Sequence, residues 1–495
     1  MTTKSGTNQF RGVVYEFLRN RKFDANNWVL NRSGQPKPQH IQNQFGGNLG
    51  GPIVRDRAFF FFDYEGTRIR KGTTRLGSVP LANERRGDFS PAAAAANRTS
   101  YAPLVDRVGD CMGRGMPFPG NQIPATSFDP VAKRILDMLP EPNLVPAAGP
   151  LNTFNFVRSP SIVDDTDDIT TREDFPLSSA HQIFFRYSWS DRFRYVPGVF
   201  GGVLDGTSTS AFGRLFMGGQ SAVLGLNSAL GPRLVNEFRL SWGRNNSRGV
   251  QDPFGKNTLA EYGIRGVPED PSFSGGLPAL RIQARGGTPT IPGGAGGGLD
   301  HIGSPVFLPK WQITNLWQTS DVVSLIRGPH QLKFGADLRM PMRNIYVDIP
   351  APRGDWTFDG NRTGIGLADF LLGYPSAAQL SNLRPVDLRL WMMSYFYQHD
   401  WKLNPRLTLN FGLRYDFATW PYEGGNRMTN VDPATGTGSR RPIHPLAAAW
   451  CVPTRTTLRR EWGWPGRSGR APCCGRVTAA FTCCSSARAA KIRWG

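Results

Sequence analysis

Alternation is the feature that most constrains this chain. From Leu407 to Phe417 the odd positions Leu407, Leu409, Phe411, Leu413, Tyr415 and Phe417 are apolar or aromatic, whereas Thr408, Asn410, Gly412, Arg414 and Asp416 are polar or Gly. Successive side chains of a strand point to opposite faces, so this stretch has one apolar and one polar face. Leu332, Phe334, Ala336, Leu338 and Met340 repeat the pattern against Gln331, Lys333, Gly335, Asp337 and Arg339. Ile183, Phe185, Tyr187 and Trp189 do so against Arg186, Ser188 and Ser190, and Phe238, Leu240 and Trp242 against Glu237, Arg239, Ser241 and Gly243. Such stretches run about ten residues, longer than the usual ~5–6 and enough to cross a bilayer's hydrocarbon core when tilted.

The spacing of these stretches discriminates further. The pattern predicts strands near 9–19, 42–53, 58–70, 166–174, 181–190, 220–230, 233–245, 312–325, 331–342, 388–401 and 406–417. The connections 20–41, 71–165, 191–219, 246–311 and 343–387 are long; those at 54–57, 175–180, 231–232, 326–330 and 402–405 are short. Long and short alternate throughout, which places every long connection at one end, as in an outer-membrane barrel with tight periplasmic turns and long extracellular loops. A strand in lipid must bond both neighbours, because no water is available to its N–H and C=O groups. The fold class expected is therefore all-β, an antiparallel transmembrane β-barrel of the outer-membrane type.

Composition excludes the alternatives. No apolar run reaches 18 residues, so no transmembrane helix is expected. Neither a heptad nor a Gly period runs through the chain, and 11% aromatic residues exceed what a disordered polymer carries. The net charge of +20 suggests nucleic acid, but its distribution argues against that. The window from Arg440 to Gly495 holds ten Arg, one Lys and a single acid, Glu461, for a net +10, and so contains half the excess. Five of the six Cys (Cys451, Cys473, Cys474, Cys483, Cys484) lie there too; Cys111 is the exception. Met1 is followed by neither a basic nor an apolar leader segment, so no signal peptide is expected in the chain as given.

Five segments carry a family resemblance: FRGVVYEFLRNRKFDANNW (10–28), NQFGGNLGGPIVRDRAFFFFDYEGTR (43–68), VPLANERRGDFS (79–90), GLADFLLGYPS (366–376) and WKLNPRLTLNFGLRYDF (401–417). Together they resemble the barrel of TonB-dependent outer-membrane transporters, specifically the Oar-like branch, over roughly residues 1–435. The resemblance implies a domain layout. Residues 1–8 would be the end of a plug domain, 9–438 the N-terminal part of the barrel, and 439–495 a basic, Cys-rich tail without fold. Family barrels have about 22 strands, so the eleven or twelve here would form an open, curved sheet, the N-terminal half of a barrel. The implied function is receptor-mediated uptake of an unidentified substrate across the outer membrane. Its partners would be outer-membrane lipid and the TonB complex, reached through a plug that this chain lacks, so that the chain alone would not transport. A surface-binding or adhesive protein using the long loops is the second reading, and a basic nucleic-acid binder the third and weakest. No enzyme activity and no cofactor are expected.

The chemistry-bearing residues are sparse. Asp164, Asp165, Asp167 and Asp168 cluster at the expected end of a long loop and could offer carboxylate oxygens to Ca²⁺, although their spacing is not that of an EF-hand and a solvated loop mouth is the preferred reading. His40, His181, His301, His330, His399 and His444 show no metal-ligand spacing, and the paired tail Cys lack a zinc-knuckle gap. The run GGAGGG (293–298) lacks the Lys-Ser/Thr that ends a P-loop. Phe59 to Phe62, with Tyr64, are continuous rather than alternating and mark either an aromatic girdle, a barrel-to-plug contact or a plain apolar strand.

DNA encoding DYTSPRVGLA, shifted by one position, can encode Thr456–Pro465, and DNA for LFERAGSKDSVG can likewise encode Cys483–Gly495. Both recovered strings resemble family barrel sequence, so translation is expected to leave the family's frame near residue 440. Resequencing tests this: a single-base correction near codon 440 should open a frame through many more alternating strands, whereas immediate stop codons would make the tail genuine.

Overall fold

The structure is a computed structural model. It describes residues 3–439 apart from 27, 29–30, 32–36, 91–104, 107–115, 145–154, 205–212, 257, 268–269, 271–272, 283–300, 348–349, 383–384, 420, 426, 428–429 and 432–437. The tail from 440 onward and the GGAGGG run lie outside the described residues.

Eleven long strands form the body: β1 (Arg11–Asn20), β2 (His40–Val54), β3 (Ala58–Gly72), β4 (Ser161–Pro176), β5 (His181–Val196), β6 (Gly213–Ala229), β7 (Leu234–Val250), β8 (Lys310–Arg327), β9 (His330–Val347), β10 (Met392–Asn404) and β11 (Leu407–Ala418). Each pairs antiparallel with the next in sequence. Two short strands, Val386–Arg389 and Tyr422–Glu423, bring the sheet to thirteen by pairing beyond β9 at its loop end. Among the described residues β1 and β11 each have a single neighbour, so the sheet is open and curved rather than closed. All eleven expected strands are present. Several run further toward the long connections than alternation alone indicated, β4 beginning at Ser161 rather than near 166.

Register sorts the side chains. Phe334 lies opposite Val323 on β8 and Tyr397 on β10, and Tyr397 lies opposite Leu413 on β11. Leu240 stands between Leu224 and Thr319, and Trp242 beside Trp317, their rings 6.3 Å apart. A continuous apolar band thus crosses the sheet on one face. It is exposed: Phe334 is 44%, Phe411 36% and Leu413 48% accessible, and Leu409 is partly so. Exposed apolar area on this scale fits a lipid-facing surface. The apolar face is therefore the outer one.

The opposite face is polar. There Glu65 accepts from Tyr15 Oη at 2.9 Å and Gln44 Nε2 at 3.0 Å. Arg339 pairs with Asp337 and Arg414 with Asp416, each two residues along one strand. The segment before β1 lies against this face at the short-turn end. Ser5 Oγ donates to Asp174 at 2.6 Å, and the Arg172 guanidinium, itself bound to Asp174 at 2.8 Å, donates to the Thr3 carbonyl. Asn8 and Asp56 exchange two bonds across the β2–β3 turn. The Phe run serves both faces: Phe62 is exposed outward with Phe60 two residues before it, and Phe61 is buried on the polar side beneath Gly6 and Gly50.

The parity of β7 yields a test. Leu240→Arg places a cation in the apolar band and is expected to destabilise the protein folded in lipid vesicles by about 2–4 kcal/mol, the cost near a bilayer midplane. Ser241→Arg, one residue on and facing the polar side, should shift the urea midpoint far less; equal shifts would reverse the assignment of faces.

Candidate binding cap at the long connections

Among the described residues the largest buried core lies outside the sheet. Phe89, Leu136, Leu277, Ile302, Ala368 and Leu371 are fully enclosed and pack together, with Leu204 joining them. They come from the connections β3–β4, β5–β6, β7–β8 and β9–β10, which all leave the same end of the sheet. These connections fold into one cap.

Local chemistry explains its elements. Helix α1 (Pro130–Met138) starts at Pro130, whose missing N–H costs nothing at the first helical position, and is capped by Asp129, whose carboxylate accepts from Val131 N and Ala132 N at 2.9 Å. Ala132, Ile135 and Leu136 share its buried face. Helix α2 (Gly366–Leu371) is buried along its whole length. Asp369 within it accepts from Thr363 N at 2.8 Å, Thr363 Oγ1 at 2.7 Å and Arg362 N at 3.2 Å, folding the preceding turn back onto the helix. Burial raises the Asp369 pKa, and these donors oppose the rise. Gly373 adopts φ +72°, and a Cβ there would press on Asp129 at 3.0 Å, so this glycine permits the contact between α1 and α2. Asp129 N donates to Leu371 O at 2.8 Å across the same contact. A small sheet of Ala279–Ile282, Asp355–Phe358 and Ala377–Gln379 completes the cap.

Two arginines tie the connections together. Arg85 donates to the carbonyls of Leu136, Leu139 and Pro140 at the end of α1. Arg353 is 4% exposed and donates to Leu277 O at 2.6 Å, Leu308 O at 3.0 Å and Pro305 O at 3.2 Å, holding two parts of the β7–β8 connection against the β9–β10 connection. The motifs VPLANERRGDFS and GLADFLLGYPS thus supply Arg85, Phe89, Asp369 and Gly373, each with a structural contact in the cap.

The four aspartates lie elsewhere than expected. They sit within β4, not at a loop mouth, because the strand extends back to Ser161. Alternation then sends Asp164 and Asp168 to the polar face and Asp165 and Asp167 to the other. Asp164 is held by Arg192 at 2.6 Å, Asp165 by Arg70 at 2.5 Å, and Asp167 by Arg68 at 2.7 Å with Tyr64 Oη also donating at 2.7 Å. Three of the four carboxylates are thereby committed to guanidinium groups, and the four do not converge on one point. No cluster of three or more His, Cys, Asp or Glu suited to a metal occurs among the described residues. Sequence spacing also missed a pair: His330 and His399, 69 positions apart, meet with ring nitrogens 2.9 Å apart.

With this geometry in view, the family follows. The model of the outer membrane beta barrel domain family matches residues 2–472, and the chain belongs to that family; it is an outer-membrane protein. The match includes the first part of the basic tail. The chain is also similar in structure to the ferric enterobactin receptor PfeA of Pseudomonas aeruginosa (9% identity, 85% of this chain and 41% of that one, TM-score 0.37). Further similar structures are the outer membrane transporter YddB of Escherichia coli (10%, 84% and 40%, 0.39) and the siderophore receptor PirA of Acinetobacter baumannii (11%, 85% and 41%, 0.38). The chain spans about two fifths of the length of these proteins. No curated protein matches it.

The cap carries its own pH dependence. His301 is held in it with Nε2 enclosed and without a partner among the described residues. Burial, aided by the neighbouring Arg281 and Arg353, depresses its pKa from 6.5 to about 4. Between pH 6.5 and 4 the unfolded chain therefore binds a proton that the folded cap does not, and stability falls as pH falls through that window. The loss at pH 4 should approach about 3 kcal/mol. Proteolysis of the cap measured from pH 7 to pH 4 should rise for the native chain and stay flatter for His301→Phe.

Proposed function

We propose that this chain is the wall and loop cap of an outer-membrane receptor for energised uptake, of the TonB-dependent, Oar-like kind. The cap would hold the substrate, the curved sheet would form one side of the passage, and energy would reach it through a plug and the inner-membrane TonB complex. The observation that carries the reading is the course of Thr3–Asn8 along the polar face, bonded to Asp174, Arg172 and Asp56 at the short-turn end. A segment entering from that side is where a plug inside the barrel would join its wall. We take residues 1–8 as the end of that plug, 9–438 as barrel wall with its loops, and 439–495 as a tail outside the fold.

The test is depletion of solutes from culture medium by cells carrying the entire gene, compared with cells deleted for it. A solute removed only by carrying cells, and no longer removed after a protonophore collapses the inner-membrane gradient, supports uptake. Surface binding that persists with the protonophore and no depletion overturns it in favour of an adhesive protein using the same loops.

A further inference from the structure

We propose that His330 and His399 form a binding site for one Cu²⁺ ion on the outer face, at the short-turn edge of β9 and β10. His330 lies opposite Trp401, and His399 opposite Leu332 and Phe411, so both rings share the outward face. His330 Nδ1 and His399 Nε2 stand 2.9 Å apart. The rings meet almost head-on, with centroids 5.1 Å apart, so a shared metal requires each ring to turn until its nitrogen points to a common centre beside the present hydrogen bond. Cu²⁺ heads the affinity order for nitrogen donors among divalent first-row ions.

The rings are held in place. The Trp401 ring stacks on His330 at 5.4 Å and 28°, and lies nearly parallel to His399 at 11°. Phe411 flanks His399 at 6.0 Å. Without metal, one imidazole donates its N–H to the other across the 2.9 Å gap. Binding needs both facing nitrogens as lone pairs, so the donor ring must present its facing nitrogen without the proton. The next residues on this face, Arg327, Leu332, Leu409 and Phe411, offer no third ligand. The remaining positions fall to water or to lipid phosphate oxygens, since the pair sits beside the Gly328–Pro329 turn at the edge of the apolar band.

The experiment titrates Cu²⁺ into the full chain folded in detergent micelles, with thiols first blocked by iodoacetamide because the six Cys would otherwise take copper. Pulsed electron paramagnetic resonance counts coordinated imidazoles. One ion per chain showing two imidazoles is expected. His330→Phe and His399→Phe, which keep an aromatic ring in place, should each weaken binding by roughly tenfold or more, and the double variant should abolish the two-imidazole signal. Trp401→Phe retains both ligands and should keep that signal. Equal binding by the native chain and the double variant, a single coordinated imidazole, or loss of the signal in Trp401→Phe equal to that in the double variant would each overturn the site.

Discussion

A strand buried in hydrocarbon has nowhere to place its N–H and C=O groups except on the next strand. That requirement organises the rest of this molecule. It explains why eleven long strands follow one another as a meander, each bonded to its successor. It also frees the outer side chains from packing against a second layer of protein, so that Phe334, Phe411 and Leu413 face outward against lipid. The sheet accordingly needs no hydrophobic core of its own. What holds it is the hydrogen-bond ladder and the matching of a polar face, rich in Arg–Asp pairs, to water.

The cap obeys the opposite rule. It lies beyond the lipid, so it must bury apolar surface as soluble domains do. Phe89, Leu136, Leu277 and Leu371 are its core, and two of its buried charged groups find partners within it: Arg353 on the carbonyls of Leu277, Pro305 and Leu308, Asp369 on Thr363 and Arg362. One polypeptide therefore answers two solvents, with residues near the loop ends of the strands marking the change. On the outer face the Arg68–Asp167 and Arg70–Asp165 pairs stand where the apolar band gives way to charge.

The sheet was legible in the sequence because a two-residue period survives single-sequence reading. Leu407–Phe417 and Gln331–Met340 declared their faces residue by residue, and the long–short rhythm of connections fixed topology. Strand ends were less legible. Above the lipid the outer face becomes polar, alternation vanishes, and the expected β4 stops near 166, leaving Asp164 and Asp165 in the loop. The cap was not legible as a unit, since its core residues carry no common period and come from four connections. The motifs at 79–90 and 366–376 marked it without disclosing what they build. The His330–His399 pair escaped because proximity across strands is set by register, which one strand's sequence does not state.

The way the cap draws its core has a consequence for the order of assembly. Every partner of a long strand lies close by in sequence, save where a long connection intervenes, so hairpins can form as the chain becomes available. Phe89 and Leu371, by contrast, are in the same cluster although most of the chain separates them. Such a contact gains nothing until the intervening strands have brought its ends together, because closing so long a loop carries its own entropy cost. The sheet is thus the scaffold on which the cap completes itself. An interruption between β4 and β9 would leave ordered hairpins beneath an unfinished cap, with its apolar residues open to water.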